Sequence, residues 1–175
     1  MKSILLPVAL TALMLPLGAC SLDDDTEDYT AWREQNDEYI ANINTAEYTK
    51  IVPDWAPNNS VYIKWHNDRS LTAANLVPLS TSTVSIKYEF ENIEGTKLGN
   101  SYRAASGDSV YQSCPNQNIL GMWIALTNMH VGDSVTMIIP YPSAYGNQLN
   151  ATIKPYSNLI YRVKMKSIDA YERPE

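Results

Sequence analysis

Two runs of alternating polarity limit what this chain can become. Val84, Ile86, Tyr88 and Phe90 alternate with Ser85, Lys87, Glu89 and Glu91, and near the C-terminus Leu159, Tyr161, Val163 and Met165 recur at the same spacing around Arg162 and Lys164. Successive side chains of a strand point to opposite sides, so each run has one apolar face and one wet face. Val135, Met137 and Ile139 make a third such face. Between the first and third runs, Asn118 to Asn128 carries Ile119, Met122, Trp123 and Leu126 at helical spacing, which predicts a short, mostly buried helix. Antiparallel strands with one short core helix imply an α+β domain.

The N-terminus reads differently. Lys2 supplies a positive start, and Ile4 to Leu17 is an apolar stretch interrupted by Pro7, Thr11 and Pro16. It is too short for a spanning helix and fits a signal peptide over residues 1–19. Leu17-Gly-Ala-Cys20 is similar to the bacterial lipobox, in which Cys20 is acylated and begins the mature chain. An ordinary signal peptide with an incidental cysteine is the other reading. Ser21-Leu-Asp-Asp-Asp25, with Glu27 and Asp28 behind it, makes residues 20–28 an acidic tether. It also resembles the acidic tag that sends some lipoproteins to the outer cell surface. The implied location is the bacterial outer membrane, facing the periplasm or the cell surface.

Cleavage after residue 19 removes only Lys2 among the charged residues and moves the net charge from −6 to −7. An acidic chain without a basic cluster argues against nucleic acid as a partner. With Cys20 lipidated, Cys114 has no partner for an internal disulfide. The mature length suits one domain. Twelve Tyr and four Trp against one Phe suggest aromatic surfaces that keep a polar handle.

Upstream of the sheet runs, residues 29–66 read as an extension. Tyr29, Trp32, Tyr39, Ile40 and Ile43 recur at helical spacing behind Asp28 as an N-cap. A Pro- and Asn-rich loop and a strand over Val61 to His66 follow. Glu94-Gly95 marks a turn, residues 97–107 look irregular, and Asp108 to Gln112 reads as a short strand.

Familiar catalytic patterns are missing. His66 and His130 fall on separate elements, and no Cys/His/Asp/Glu cluster has metal-ligand spacing. There is no Gly-x-Ser-x-Gly elbow and no phosphate-cradling glycine motif.

A different resemblance runs from about Ser82 to Ile168. Its elements are the Tyr88 strand, the Glu94-Gly95 turn, Asn118-Ile-Leu-Gly-Met122, Met129-His-Val-Gly132, the proline-ended strand with Ala144-Tyr-Gly146, and the final strand with Leu159 and Tyr161. In that order they resemble the FKBP-type peptidyl-prolyl isomerases. The resemblance implies a strongly curved antiparallel sheet, a half barrel, wrapped around one short helix over residues 82–170, with the N-terminal helical extension beside it. It implies no cofactor.

For the site, the resemblance gives Tyr88 and Tyr161 as aromatic walls, the Ile119 backbone N–H as donor to the substrate carbonyl, and Tyr145 as the loop phenol that reaches bound ligand. Tyr111 is the candidate for an opposing aromatic, and Ile153 belongs to the loop that follows. Leu98 stands where the family usually has Phe, Gly99 where it has a pocket aspartate, and Met122 where it has a tryptophan floor. Trp123, one residue on, turns about 100° away. The implied activity is isomerisation of X–Pro bonds in exported proteins, with proline-containing peptides or unfolded chains as partners. The losses at positions 99 and 122 leave a second reading open, a weak or inactive domain that binds peptides or an envelope partner.

Overall fold

The structure, a computed structural model, describes residues 28–102 and 109–172. The signal segment 1–19, Cys20 and all of the acidic tether but Asp28 lie outside the described residues.

The chain first forms helix α1 (Thr30–Ala41), then strands β1 (Thr49–Ile51) and β2 (Val61–Trp65). Strands β3 (Thr83–Glu91), β4 (Lys97–Asn100) and β5 (Tyr111–Ser113) follow, then helix α2 (Leu120–Leu126), β6 (Ser134–Ile139) and β7 (Leu159–Ala170). The strands make one sheet in the order β1-β2-β6-β7-β3-β4, with β5 also on β3. Every pairing is antiparallel. β7 occupies one side of β3, while β4 and β5 share the other side at its two ends. The sheet is not closed, since its path runs from β1 to β4. Register shifts at Thr83/Val84, Ser85/Ile86 and Phe90/Glu91 interrupt the ladders, and irregularities of this kind bend and twist a strand locally.

The alternating runs become β3 and β7, paired so that Phe90 lies opposite Tyr161 and Tyr88 opposite Val163. Their dry side meets α2. Val84, Ile86, Val135, Met137, Ile139, Leu159, Val163 and Met165 pack with Ile124, Ala125, Leu126 and Met129 in one core. The close approach of helix to sheet depends on Gly121, where a Cβ would lie 2.3 Å from Ile139 Cγ2. The α+β half barrel with its N-terminal helix is therefore the architecture observed.

Three local expectations change. Residues 97–107 open with strand β4 instead of an irregular segment, because Lys97, Gly99 and Asn100 find partners on β3. The short strand expected at 108–112 lies at Tyr111–Ser113, where it pairs with Val84 to Ile86. On α1 the cap position is Tyr29, and Asp28 Oδ1 accepts from Thr30 N at 2.9 Å one residue earlier.

The buried side of α1 holds Trp32 and Asn36. A fully buried Asn needs partners for its amide, and these come from the start of β7. Asn158 N donates to Asn36 Oδ1 at 2.7 Å, Asn158 Nδ2 donates to the Asn36 carbonyl at 2.6 Å, and Asn36 Nδ2 donates to the Trp32 carbonyl at 2.8 Å. Trp32 Nε1 donates to Ser157 Oγ at 3.0 Å. The extension is thus fixed to the domain by a satisfied polar latch.

Candidate active site

The sheet's apolar face leaves a hollow beside the start of α2. It is a cavity of about 500 Å³ lined by Ile86, Tyr88, Phe90, Tyr111, Gln117, Asn118, Ile119, Met122, Tyr145 and Tyr161. The period of two along β3 places Ile86, Tyr88 and Phe90 on this side together. Tyr161 comes from β7, where it is 6 % exposed.

The aromatic walls touch one another. Phe90 and Tyr161 stack with centroids 4.5 Å apart and planes 5° from parallel. Tyr88 meets Tyr111 edge-on at 5.6 Å and leans on Tyr161 at 6.0 Å. Such pairs hold each ring in place beyond what burial alone provides. Below them Met122, 3 % exposed, forms the floor from α2.

Backbone contacts position the rest. Tyr88 N donates to Ser101 Oγ at 3.1 Å and Ser101 N donates to the Tyr88 carbonyl at 2.9 Å, so β3 is pinned beside its pocket tyrosine. Asn118 Nδ2 donates to Ser113 Oγ and the Cys114 carbonyl, both at 2.8 Å, and sets the entry of α2. Ile119 precedes the first helical turn, where N–H groups have no intrahelical acceptor. The Tyr145 loop closes on itself through Gly146 N to the Tyr141 carbonyl at 2.8 Å, with Gly146 at φ +63°. Tyr141 N donates to Asn158 Oδ1 at 2.9 Å, so this loop and α1 share one anchor.

Among the described residues no side chain of the lining is a carboxylate, amine, guanidinium, imidazole or thiol. Burial pushes the Tyr161 phenol well above its ordinary range, with smaller contributions from Tyr145, Tyr88 and Tyr111. Tyr88 is shifted the same way, again mainly by burial and then by Tyr111 and Tyr145. Both remain neutral donors at physiological pH. Among the described residues no three His, Cys, Asp or Glu side chains gather as a metal site.

Six residues singled out in the sequence meet at this cavity: Tyr88, Tyr111, Ile119, Met122, Tyr145 and Tyr161. Three others lie outside its lining. Ile153, 4 % exposed, belongs to the core, and Leu98 packs against that core from β4. Gly99 sits opposite Phe90 across the β3–β4 ladder. Trp123 turns from the cavity and stacks on Trp55 with centroids 4.5 Å apart. Phe90, Ile86, Gln117 and Asn118 complete the lining without having been singled out. Phe90 shares a strand face with Tyr88, and that spacing alone could have identified it.

Comparison with known proteins places this geometry. A peptidyl-prolyl cis-trans isomerase from Pseudomonas syringae pv. tomato matches with a TM-score of 0.64 at 16% identity, over 81% of this chain and 96% of that one. FkpA from Escherichia coli matches with a TM-score of 0.61 at 19% identity, over 81% of this chain and 60% of that one. A wheat protein with three FKBP domains gives 0.56 at 20% identity, over 69% of this chain and 50% of that one. No curated protein matches by sequence. The family model for FKBP-type peptidyl-prolyl cis-trans isomerase matches residues 77–166. Family and fold together support prolyl isomerisation as the general class of activity. The chain belongs to the FKBP-type peptidyl-prolyl cis-trans isomerase family.

Proposed function

We propose that the protein isomerises X–Pro bonds of exported proteins while tethered to the bacterial outer membrane through lipid on Cys20. The observation that carries the catalytic part is the convergence of Tyr88, Tyr111, Tyr145 and Tyr161 over Met122 in one cavity. An X–Pro bond rotates over tens to hundreds of seconds because amide resonance sets a barrier of about 18–20 kcal/mol. Twisting the bond localises the nitrogen lone pair and reduces the charge separation of the planar amide. A dry, apolar cleft therefore favours the twisted state over the planar one. The aromatic walls exclude water and seat the pyrrolidine ring, and the Ile119 N–H and Tyr145 O–H orient the carbonyl. No nucleophile or proton transfer is required. A reduction of about 4 kcal/mol in the barrier accelerates rotation by about three decades.

The test is a protease-coupled assay on a proline tetrapeptide. Acceleration in proportion to protein concentration supports the reading, and no acceleration at high protein concentration rejects it. Gly99 and Met122 favour a second reading, in which the same cavity binds peptide without turnover. Saturable binding with no acceleration would select that one.

The tether rests on residues 1–25, where an apolar leader, small residues before Cys20 and an acidic run occur in order. Several acyl chains on one cysteine would hold the protein on a membrane, since a single chain anchors only marginally. Incorporation of labelled palmitate that Cys20→Ala abolishes is the expected result. Labelling that survives Cys20→Ala contradicts it.

A further inference from the structure

We propose that Trp55, on the loop between β1 and β2, selects substrate. Its exposed indole would take an apolar or aromatic side chain of the peptide whose X–Pro bond occupies the cavity. This rests on the isomerase reading and adds a specificity determinant drawn from the N-terminal extension.

Two contacts tie the 52–60 loop to elements that each supply a residue of the cavity lining. Trp55 packs on Trp123 of α2 with ring centroids 4.5 Å apart and planes at 34°. Trp123 N donates to the Ile119 carbonyl at 3.0 Å, so it stands one helical turn from a residue of the cavity lining. At the other end of the loop, Asn59 Nδ2 donates to the Pro142 carbonyl and Ser60 N donates to Ser143 Oγ, each at 3.1 Å. Those acceptors lie three and two residues before Tyr145, another residue of the cavity lining. The loop therefore bridges from α2, through Trp55 itself, to the Tyr145 loop.

Trp55 is 54% exposed. Single exposed apolar residues are ordinary on protein surfaces, so the exposure alone says nothing. What distinguishes this one is its support: Trp123 backs the ring, Asn59 and Ser60 fix the loop where it enters β2, and Trp123 follows the cavity residue Ile119 by one helical turn. A ring held in place binds a partner with little further loss of side-chain freedom. An extended peptide advances about 3.3 Å per residue, so side chains two or three places from the proline come within about 7–10 Å of it. Unfolded chains expose such apolar residues, whereas folded proteins bury most of theirs. The occupant is an unfolded segment with an aromatic or large aliphatic residue near its proline.

The test uses the full chain and ten-residue peptides that share a central Ala-Pro. Each peptide pair differs only in carrying Trp or Ser at one position, two or three places from the proline on either side. The readout is the Trp/Ser ratio of kcat/KM. In the wild type it should reach about two- to tenfold for at least one pair, the range of an aromatic contact. Trp55→Ala should bring it to one, and Trp55→Phe should keep most of it. Trp55→Leu preserves apolar packing on Trp123 and should lower the ratio even if the alanine variant does not fold. An equal ratio in wild type and variants, or a wild-type ratio of one throughout, overturns the proposal. If the wild type accelerates no peptide, the isomerase reading fails on its own. Titration calorimetry with the same pairs then decides the role of Trp55: tighter binding of the Trp peptide, lost in the variants, supports it, and equal affinities overturn it.

Discussion

Phe90 occupies the space into which a side chain at position 99 would project. The two residues pair across the β3–β4 ladder, and a Cβ on Gly99 would fall 2.6 Å from Phe90 Cε1. By the resemblance, position 99 is where the family carries a pocket carboxylate, and Phe90 takes the space such a side chain would need. The Phe90 ring stacks on Tyr161 and lines the cavity. Restoring the carboxylate alone should therefore fail. Gly99→Asp is expected to lower stability by about 1–3 kcal/mol through overpacking, read as a fall in Tm, and Phe90→Ala in the same chain should recover part of it. An unchanged Tm for Gly99→Asp would contradict this relation.

The α1 latch has a measurable weight. Asn36→Ala leaves the buried Asn158 N–H without its acceptor, which costs about 1–3 kcal/mol. Urea unfolding should show a lower midpoint with an unchanged slope. Asn158→Ala keeps its backbone N–H bond to Asn36 Oδ1 but removes the donor to the Asn36 carbonyl and the acceptor of Tyr141 N beside the Tyr145 loop, so it should also cost about 1–3 kcal/mol.

Among the described residues the cavity lining has no group that titrates near neutrality, so its turnover should not depend on pH between about 5.5 and 8.5. Stability behaves differently at the alkaline end. The Tyr88 and Tyr161 phenols are raised in the folded state, so their contribution is complete below the ordinary phenol value and is lost as pH rises from there through the raised folded value. Unfolding should begin above about pH 10, and Tyr161→Phe should delay it.

Asp133 contributes at the acid end. Burial raises its carboxyl, but hydrogen bonds from Thr72 Oγ1 at 2.6 Å, His130 N at 2.8 Å and Asn67 Nδ2 at 3.0 Å, together with Arg69, more than offset this and hold it below the usual range. Because its folded value is depressed, its stabilisation is present above the ordinary aspartate value of about 3.9 and is lost as pH falls through the folded one. Acid titration of unfolding should show Asp133→Asn to be less stable than the wild type at pH 6, with the difference shrinking below about pH 3.5.

Periodicity made much of this fold legible. β3, β6 and β7 carry one apolar face each, and α1 and α2 show helical spacing. Family order then pointed to Tyr88, Ile119, Met122, Tyr145 and Tyr161 before any geometry was known. β4 gave no such signal, since Lys-Leu-Gly-Asn has a single apolar residue and its pairing is decided by β3. Asn36 was hidden because a polar residue on a buried helical face looks like a break in the pattern until its partner, 122 residues away, is seen. Trp55 sits in a loop, where no spacing rule applies. Ile153 lies in the matching loop, yet its side chain turns into the core.

Magnetisation exchange between the cis and trans forms of a proline peptide tests the central claim without a coupling protease. Substoichiometric wild-type protein should raise the exchange rate well above the spontaneous value. Tyr161→Ala and Met122→Ala, checked for native circular dichroism, should each reduce that gain by about tenfold or more, the effect of losing at least 1.4 kcal/mol of transition-state stabilisation. Exchange that stays at the spontaneous rate with folded wild-type protein, or that is unchanged when the cavity is opened by these substitutions, would contradict the account.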